Sequence, residues 1–504
     1  MIPMQGLLFS DFVTENEAEW QTHEFSAGNR YPQNEREKLE EYYSNITETS
    51  EKFSRKSVSY QLSKTDCLHR WLKYKEGFSS ELVRLLLNDF DLKKEDIVLD
   101  PFMGSGTTAL TSIICGFNSA GFDILPMSRI SIKAKMAIYE YDIEELESMA
   151  QEVSYICVPE SYKKTVPEIP ITKDGYPKET SKEIAFFKEH FSCSDYSQNA
   201  KTLLELCTLN SLEKVSYSAK DGQYLRWDWH CPKIIEATRE RERLGKKPFV
   251  VKLDKGKLPS LKEILLSELN YVIEDIKYLQ RSNPEGFKTR CDFIQESALF
   301  GLPKMKDNSV AAVISSPPYC NRYDYTRTYA LELAYLGVSE EGIKKLRQEL
   351  LSCTVENKPK TDRLQKFYCE IGRESDFHET LRIIRGNAVL NEIDSALKGR
   401  NKDGEINNKG VLKMVTGYFE ELAFIFFELY RICKSGAYVA FVNDNVRYAG
   451  EIIPVDYLTT NLAEKIGFTP IKIYTLKQQK GNSSQQMKRY GRVALRKSIT
   501  VWRK

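Results

Sequence analysis

Ile97-Val98-Leu99-Asp100-Pro101-Phe102-Met103-Gly104-Ser105-Gly106-Thr107-Thr108 is the stretch whose reading decides the fold. The apolar run Ile97-Val98-Leu99, closed by Asp100, reads as a short strand of the buried type. Ala109 to Cys115 continues with helical character and is stopped by Gly116. Between them, Gly104 and Gly106 supply a turn whose missing side chains let a ligand approach the backbone closely. A second strand, Ser119 to Ile124, carries Asp123, 23 positions after Asp100. That is near the spacing at which an acidic residue meets ribose hydroxyls in nucleotide-binding βαβ units. Gly104, Gly106 and Ala109 also satisfy the dinucleotide fingerprint, so the turn alone does not choose a ligand. No Gly-x-x-x-x-Gly-Lys-Ser/Thr loop exists, which disfavours a nucleotide hydrolase.

A second motif narrows the choice. The apolar run Val310 to Ile314 leads into Ser315-Ser316-Pro317-Pro318-Tyr319-Cys320. Two consecutive prolines fix φ, lack an N–H, and push the residue before each to an extended shape. The corner therefore offers acceptors without competing backbone donors: the Ser316 hydroxyl and the carbonyls of Ser316 and Pro317. Tyr319 adds a flat face for a planar ring. This is equipment for gripping an exocyclic amino group on a nucleobase.

Taken together, the two motifs resemble those of the amino-methylating DNA methyltransferases, which make N4-methylcytosine or N6-methyladenine. The resemblance covers roughly residues 65–140 and 289–337 well and 411–504 more loosely. It implies a doubly wound, seven-stranded, Rossmann-like α/β sheet, with S-adenosyl-L-methionine as cofactor and double-stranded DNA with a flipped target base as substrate. Phe78, Asp100, Phe102, Gly104, Gly106, Asp123, Glu296 and Ser297 would hold the cofactor, and Ser316, Pro317, Pro318 and Tyr319 would carry the catalysis. A Ser at the head of the second motif favours cytosine N4 over adenine N6. A companion restriction endonuclease is the implied biology. One feature departs from the common family pattern: an Asp-Pro-Phe-x-Gly-Ser-Gly-Thr-Thr motif usually follows the Ser-Pro-Pro-Tyr motif, and here it precedes it. An RNA guanine-N2 methyltransferase usually has Asp before the Pro-Pro, and a protein-glutamine methyltransferase typically has Asn at the place of Ser316. A catalytically idle DNA-binding subunit is the reading from another class, and the intact motif pair argues against it.

The whole chain agrees with this class. At 504 residues it exceeds one typical domain. Its net charge is only +2, so any nucleic-acid surface must be local. No apolar stretch approaches transmembrane length, and Met1-Ile2-Pro3-Met4-Gln5 does not open a secretory signal. The 11 cysteines include no Cys-x-x-Cys pair and the five histidines are scattered, so neither a metal site nor a disulfide framework is expected and the setting reads as cytoplasmic. Cys320 reads as a bystander, since amino methylation needs no covalent enzyme adduct.

Along the chain, residues 1–60 read as a polar arm with an exposed helix at Asn34 to Glu41. Residues 61–150 form the cofactor-binding half of the core, and 289–337 its catalytic part. Residues 151–288 and 338–410 are insertions, either of which could read the DNA. Residues 411–504 complete the core and end in a hairpin. From Lys477 to Lys504 the chain has no Asp or Glu, and Lys488, Arg489 and Arg492, together with Arg322, are candidates for DNA contact.

Overall fold

The strand-forming runs at Ile97–Asp100, Ser119 to Ile124 and Val310 to Ile314 lie in one sheet, which has eight strands where the resemblance implies seven. The computed structural model describes residues 24–75, 77–220, 225–477, 490, 491 and 493–504. In chain order the strands are β1 (Thr47–Thr49), β2 (Ile97–Asp100), β3 (Asn118–Phe122), β4 (Cys291–Ile294), β5 (Val310–Ser315), β6 (Cys433–Asp444), β7 (Thr469–Thr475) and β8 (Lys497–Arg503). Across the sheet they run β1-β7-β8-β6-β5-β2-β3-β4. Only β8 is antiparallel to its neighbours. From β2 the chain winds outward through β3 to β4, then returns to β5 and winds the other way. The strand order therefore reverses between β2 and β5, and ligands of such sheets bind beyond the carboxyl ends at that point.

Successive residues of the central strands enter different cores, the pattern of a parallel sheet covered on both faces. Leu99, Val313, Val439 and Phe441 pack with the long helix Gly410–Ile432. Val98, Ala312, Ile314 and Val442 pack with the helix Ser80–Asp89. The 151–288 insertion builds a second core together with the segments around it. Its helices Lys178–Ser192, Gln198–Leu212 and Leu261–Ser282 close on the helices Pro126–Met136 and Ile143–Tyr155. Ser260 and Glu263 start the last of the three with a reciprocal capping box.

The 338–410 insertion holds four helices between Glu340 and Lys402. Several of its glycines fall between helices, as Gly372 and Gly386 do. Leu364, Tyr368, Phe377, Leu381 and Ile393 enter the core beside Gly410–Ile432. The helix expected to be exposed near residue 34 spans Asn34–Tyr43 and buries Arg36, Leu39 and Tyr43. Its polar composition concealed this face, because Arg36 is buried as an ion and not as an apolar group. The guanidinium meets Glu392 at 2.9 Å and Glu451 at 3.1 Å and donates to the carbonyls of Phe25 and Ile452.

Removing one partner of a buried ionic network leaves the others uncompensated. Arg36→Ala should therefore lower stability by about 3–5 kcal/mol in urea denaturation. A loss under about 1 kcal/mol would contradict the structural role given to this arginine.

Candidate active site

The strand reversal opens a cleft at the carboxyl ends of the strands, where ligands of such sheets bind. Its walls come from the segments that follow four strands. Asp100 to Ser105 follow β2, Asp123 to Leu125 follow β3, Glu296 to Ala298 follow β4, and Ser316 and Pro318 follow β5. Tyr74, Gly77 and Phe78 close one side, and Glu349, Leu350 and Leu351 of the second insertion close another.

The two motifs are fastened to each other. Asp100, the last residue of β2, accepts a hydrogen bond from Ser315 Oγ, the last residue of β5, at 2.5 Å. It also accepts from the Phe102 amide at 2.9 Å. Thr108, at the start of the helix Thr107–Ile114, donates to the Ile314 carbonyl at 3.0 Å. Burial pushes the Asp100 carboxyl up to about 6 although these donors favour its charged form.

Asp123 lies one residue beyond β3 and holds the glycine turn in place. It accepts from the Gly104 and Leu125 amides, each at 2.8 Å, and burial pushes its carboxyl up to about 6. Gly104 has φ +53°, and a Cβ there would come within 3.0 Å of the Tyr74 ring. Gly106 does not line the cleft. Its φ is +88°, and a Cβ would fall 2.0 Å from Ile132 Cδ1, so its work is to let the helix Pro126–Met136 approach. Behind the turn, the buried Lys135 ammonium donates to the Ser105 carbonyl at 2.9 Å, and burial lowers its pKa to about 7.

The Ser-Pro-Pro-Tyr corner is braced from outside the cleft. Ser316 Oγ donates to Tyr319 Oη at 3.1 Å, and the Lys497 ammonium stands 4.9 Å from the centre of the Tyr319 ring. Tyr448 Oη donates to the Cys320 carbonyl at 2.5 Å. Cys320 itself is fully buried with its pKa pushed well up, which suits a packing residue and not a nucleophile.

Of the residues expected at the site, Phe78, Asp100, Phe102, Gly104, Asp123, Glu296, Ser297, Ser316 and Pro318 share the cleft, while Gly106, Pro317, Tyr319 and Arg322 do not line it. Glu296 is ion-paired with Lys304 at 2.5 Å. Lys488, Arg489 and Arg492 lie outside the described residues. At the end of the same acid-free stretch the cations serve the protein itself. Arg496 pairs with Glu40 and Asp456, and Lys504 donates to the Cys433 carbonyl at 2.7 Å. Among the described residues a single trio, Asp228, His230 and Asp254, has metal-ligand spacing. Both the His230 ring and amide already engage Asp228. No helix among the described residues is long and apolar enough to cross a membrane.

Sequence reasoning missed Tyr74 and Leu350-Leu351. Tyr74 stacks on Tyr329, with centroids 5.2 Å apart, and on Tyr325 at 6.2 Å. The aromatic run Tyr323, Tyr325 and Tyr329 was the available signal for a stacked wall. Nothing local marks Leu350.

Comparison with known proteins places this geometry. Residues 12–130, which include the glycine turn, match the family described as DNA methylase of the N6/N4 type. Over 480 residues the chain is 55% identical to the Type II methyltransferase M.BsoBI of Geobacillus stearothermophilus, covering 95% of this chain and 94% of that protein. It is 37% identical to the Type II methyltransferase M.AvaI of Nostoc sp., covering 92% of each. The chain belongs to the amino-methylating DNA methyltransferases. A shorter match, 26% identity over 217 residues, reaches the Type II methyltransferase M.MjaII of Methanocaldococcus jannaschii. For this methyltransferase the long matches span the sheet and both insertions.

Folding raises the pKa of Asp100, so between about pH 4 and 6 the folded methyltransferase holds a proton that the unfolded chain has released. The contribution of this group to stability is full below that window and is lost as pH rises through it. Asp100→Asn cannot ionise, so the stability of wild type relative to this variant should fall by about 3 kcal/mol between pH 4 and pH 7. Denaturant titrations at the two pH values measure this, and a constant difference would contradict the assignment.

Proposed function

We propose that this methyltransferase moves a methyl group from S-adenosyl-L-methionine to the exocyclic N4 of cytosine in double-stranded DNA, as the modification component of a restriction–modification system. The observation that carries the reading is the Ser316 hydroxyl at the wall of the cleft. By donating its hydrogen to Tyr319, Ser316 keeps its lone pairs for accepting.

The residues present fit the cofactor. Gly104 leaves open a cradle beside Tyr74, and Asp123 keeps acceptor capacity for ribose hydroxyls beyond its two amide donors. Phe78, Asp100 and Phe102 would flank the methionine arm, and Glu296 and Ser297 would stand near the adenine. Gly106 shapes the turn that the others use. When bound, the cofactor supplies an electrophilic methyl group on a sulfonium.

The target nitrogen is a poor nucleophile because its lone pair is delocalised into the ring. Acceptors at Ser316 and the Pro317 carbonyl would take its two hydrogens and turn the lone pair toward the cleft. That is orientation and electrostatics, and the surplus proton left on the methylated nitrogen passes to water, so no enzyme group ends with a changed charge. Pro318 fixes the corner. A base within a duplex is unreachable, so it must be flipped out to meet the corner, while Tyr319, expected as its stacking platform, is buried and braces the corner through Ser316. Arg322, Lys488, Arg489 and Arg492 are proposed as DNA contacts.

Ser316→Ala and Pro317→Ala should lower kcat by about a hundredfold or more while DNA and cofactor affinities stay within a fewfold, since the contact is realised in the transition state. Steady-state kinetics and calorimetry separate the two effects, and near-normal turnover in both variants would overturn the mechanism. Mapping methylated bases in DNA from cells expressing the chain decides the atom. N4-methylcytosine at one defined site is expected, and N6-methyladenine in its place would overturn the choice of base.

A further inference from the structure

Residues 228–257 leave the body of the protein and return to it. The neck is closed. The Trp229 amide donates to the Leu253 carbonyl at 3.2 Å, and the Lys255 amide donates to the Asp228 carboxylate. The Lys255 ammonium caps the carbonyls of Glu213, Ser216 and Ser218 at 2.6, 2.7 and 3.0 Å. Beyond the neck runs the 12-residue helix Pro232–Arg243, in which no residue is buried. A helix this short is marginal in water unless something packs on it. Here it is held at its two ends. Lys233 lies 2.9 Å from the centre of the Trp227 ring and donates to the Ile171 carbonyl. Arg241 stacks on Phe249 at 4.6 Å and donates to the Lys247 carbonyl at 2.9 Å.

The excursion is cationic, with nine Lys/Arg against four Asp/Glu between Pro232 and Lys257 in a chain whose net charge is only +2. Exposed residues Glu236, Arg239, Glu240 and Arg243 recur at the spacing of one helix face. Val250, 86% exposed, and Phe249 lie beyond the helix end.

Its root is close to the cleft. The hairpin Ser218–Lys220/Leu225–Trp227 leads directly into the excursion. Lys220 is buried in an ion pair with Glu332 and lies 4.5 Å from the centre of the Tyr329 ring. Tyr329 stacks on Tyr74, which lines the cleft. One layer of aromatic rings therefore separates the root from the cofactor-side wall. The other insertion is a weaker candidate for the same task, because its helices Thr361–Glu370, Glu374–Arg385 and Ala388–Lys402 send apolar residues into the main core.

We propose that residues 228–257 form a docking arm for double-stranded DNA, with the helix Pro232–Arg243 in the major groove beside the target site. The inference rests on the DNA methyltransferase reading above. A helix about 18 Å long fits a groove about 12 Å wide, and Arg is the side chain that most often reads base edges there. Arg239 and Arg243 face the bases, and Lys246 and Lys247 meet the phosphates.

The test uses the full-length chain and two double variants, Arg239→Ala/Arg243→Ala and Lys246→Ala/Lys247→Ala. Methyl transfer is measured on a duplex carrying the wild-type site and on duplexes with single base-pair changes in it. S-adenosyl-L-methionine affinity is measured alongside. Both variants should keep cofactor affinity within about twofold of wild type. The arginine variant should lose discrimination between the site and its altered copies by about tenfold or more. The lysine variant should weaken binding alike on all duplexes and flatten the salt dependence by about two units of slope. Unchanged discrimination in the arginine variant, or a loss uniform across duplexes, overturns the proposal while leaving the methyltransferase reading intact. A wild-type chain that methylates no duplex overturns that reading instead, and this inference with it.

Discussion

The hydrogen bond from Ser315 to Asp100 joins the ends of two strands whose residues lie 215 positions apart in the chain. On one side of it stands the glycine turn, on the other the Ser-Pro-Pro-Tyr corner. A carboxylate buried this deeply is costly, and it is tolerated because donors converge on it from both motifs. The same bond thus satisfies the carboxylate and sets the distance between the two halves of the site. Thr108, bonded to the Ile314 carbonyl, repeats the connection one residue deeper. Asp123 extends the logic sideways by holding the Gly104 amide from β3. The site depends on three adjacent strand ends being kept in register.

Around that frame the insertions have different duties. The second insertion pours apolar side chains into the main core and sends Leu350 and Leu351 to the cleft, so it acts as a wall. The first builds a core together with neighbouring helices and projects a helix that buries no residue of its own and meets that core through Lys233, at Trp227 and Ile171. Between the cleft and that projection lie Tyr74, Tyr325 and Tyr329, stacked, with Lys220 against the last ring. Stacked rings with a buried ion pair behind them make a stiff connection. That rigidity is what a groove-reading element requires if its grip is to fix the position of the target base.

Much of this was legible in the sequence because it is local. The glycine turn, the proline corner and the apolar runs that precede them carry their geometry in consecutive residues, and the strands read from those runs formed. Asp123 was found by spacing. What escaped was long-range. Arg36 looked like a solvent-exposed charge, because its partners Glu392 and Glu451 come from distant segments. The edge strand β1 has only three residues and takes its register from β7. Gly106 was read as a ligand neighbour, whereas its missing side chain makes room for Ile132. The acid-free C-terminal stretch read as one surface, yet Arg496 is committed to Glu40 and Asp456.

If the clamp between Asp100 and Ser315 is what holds the two motifs in register, the two side chains act as one unit. A double-mutant cycle on kcat/KM, with Asp100→Ala, Ser315→Ala and the combined variant, measures this directly. The account predicts strong non-additivity, with the double variant losing no more than the worse single variant. Losses that simply multiply would mean that each residue works alone and that the clamp does not organise the site.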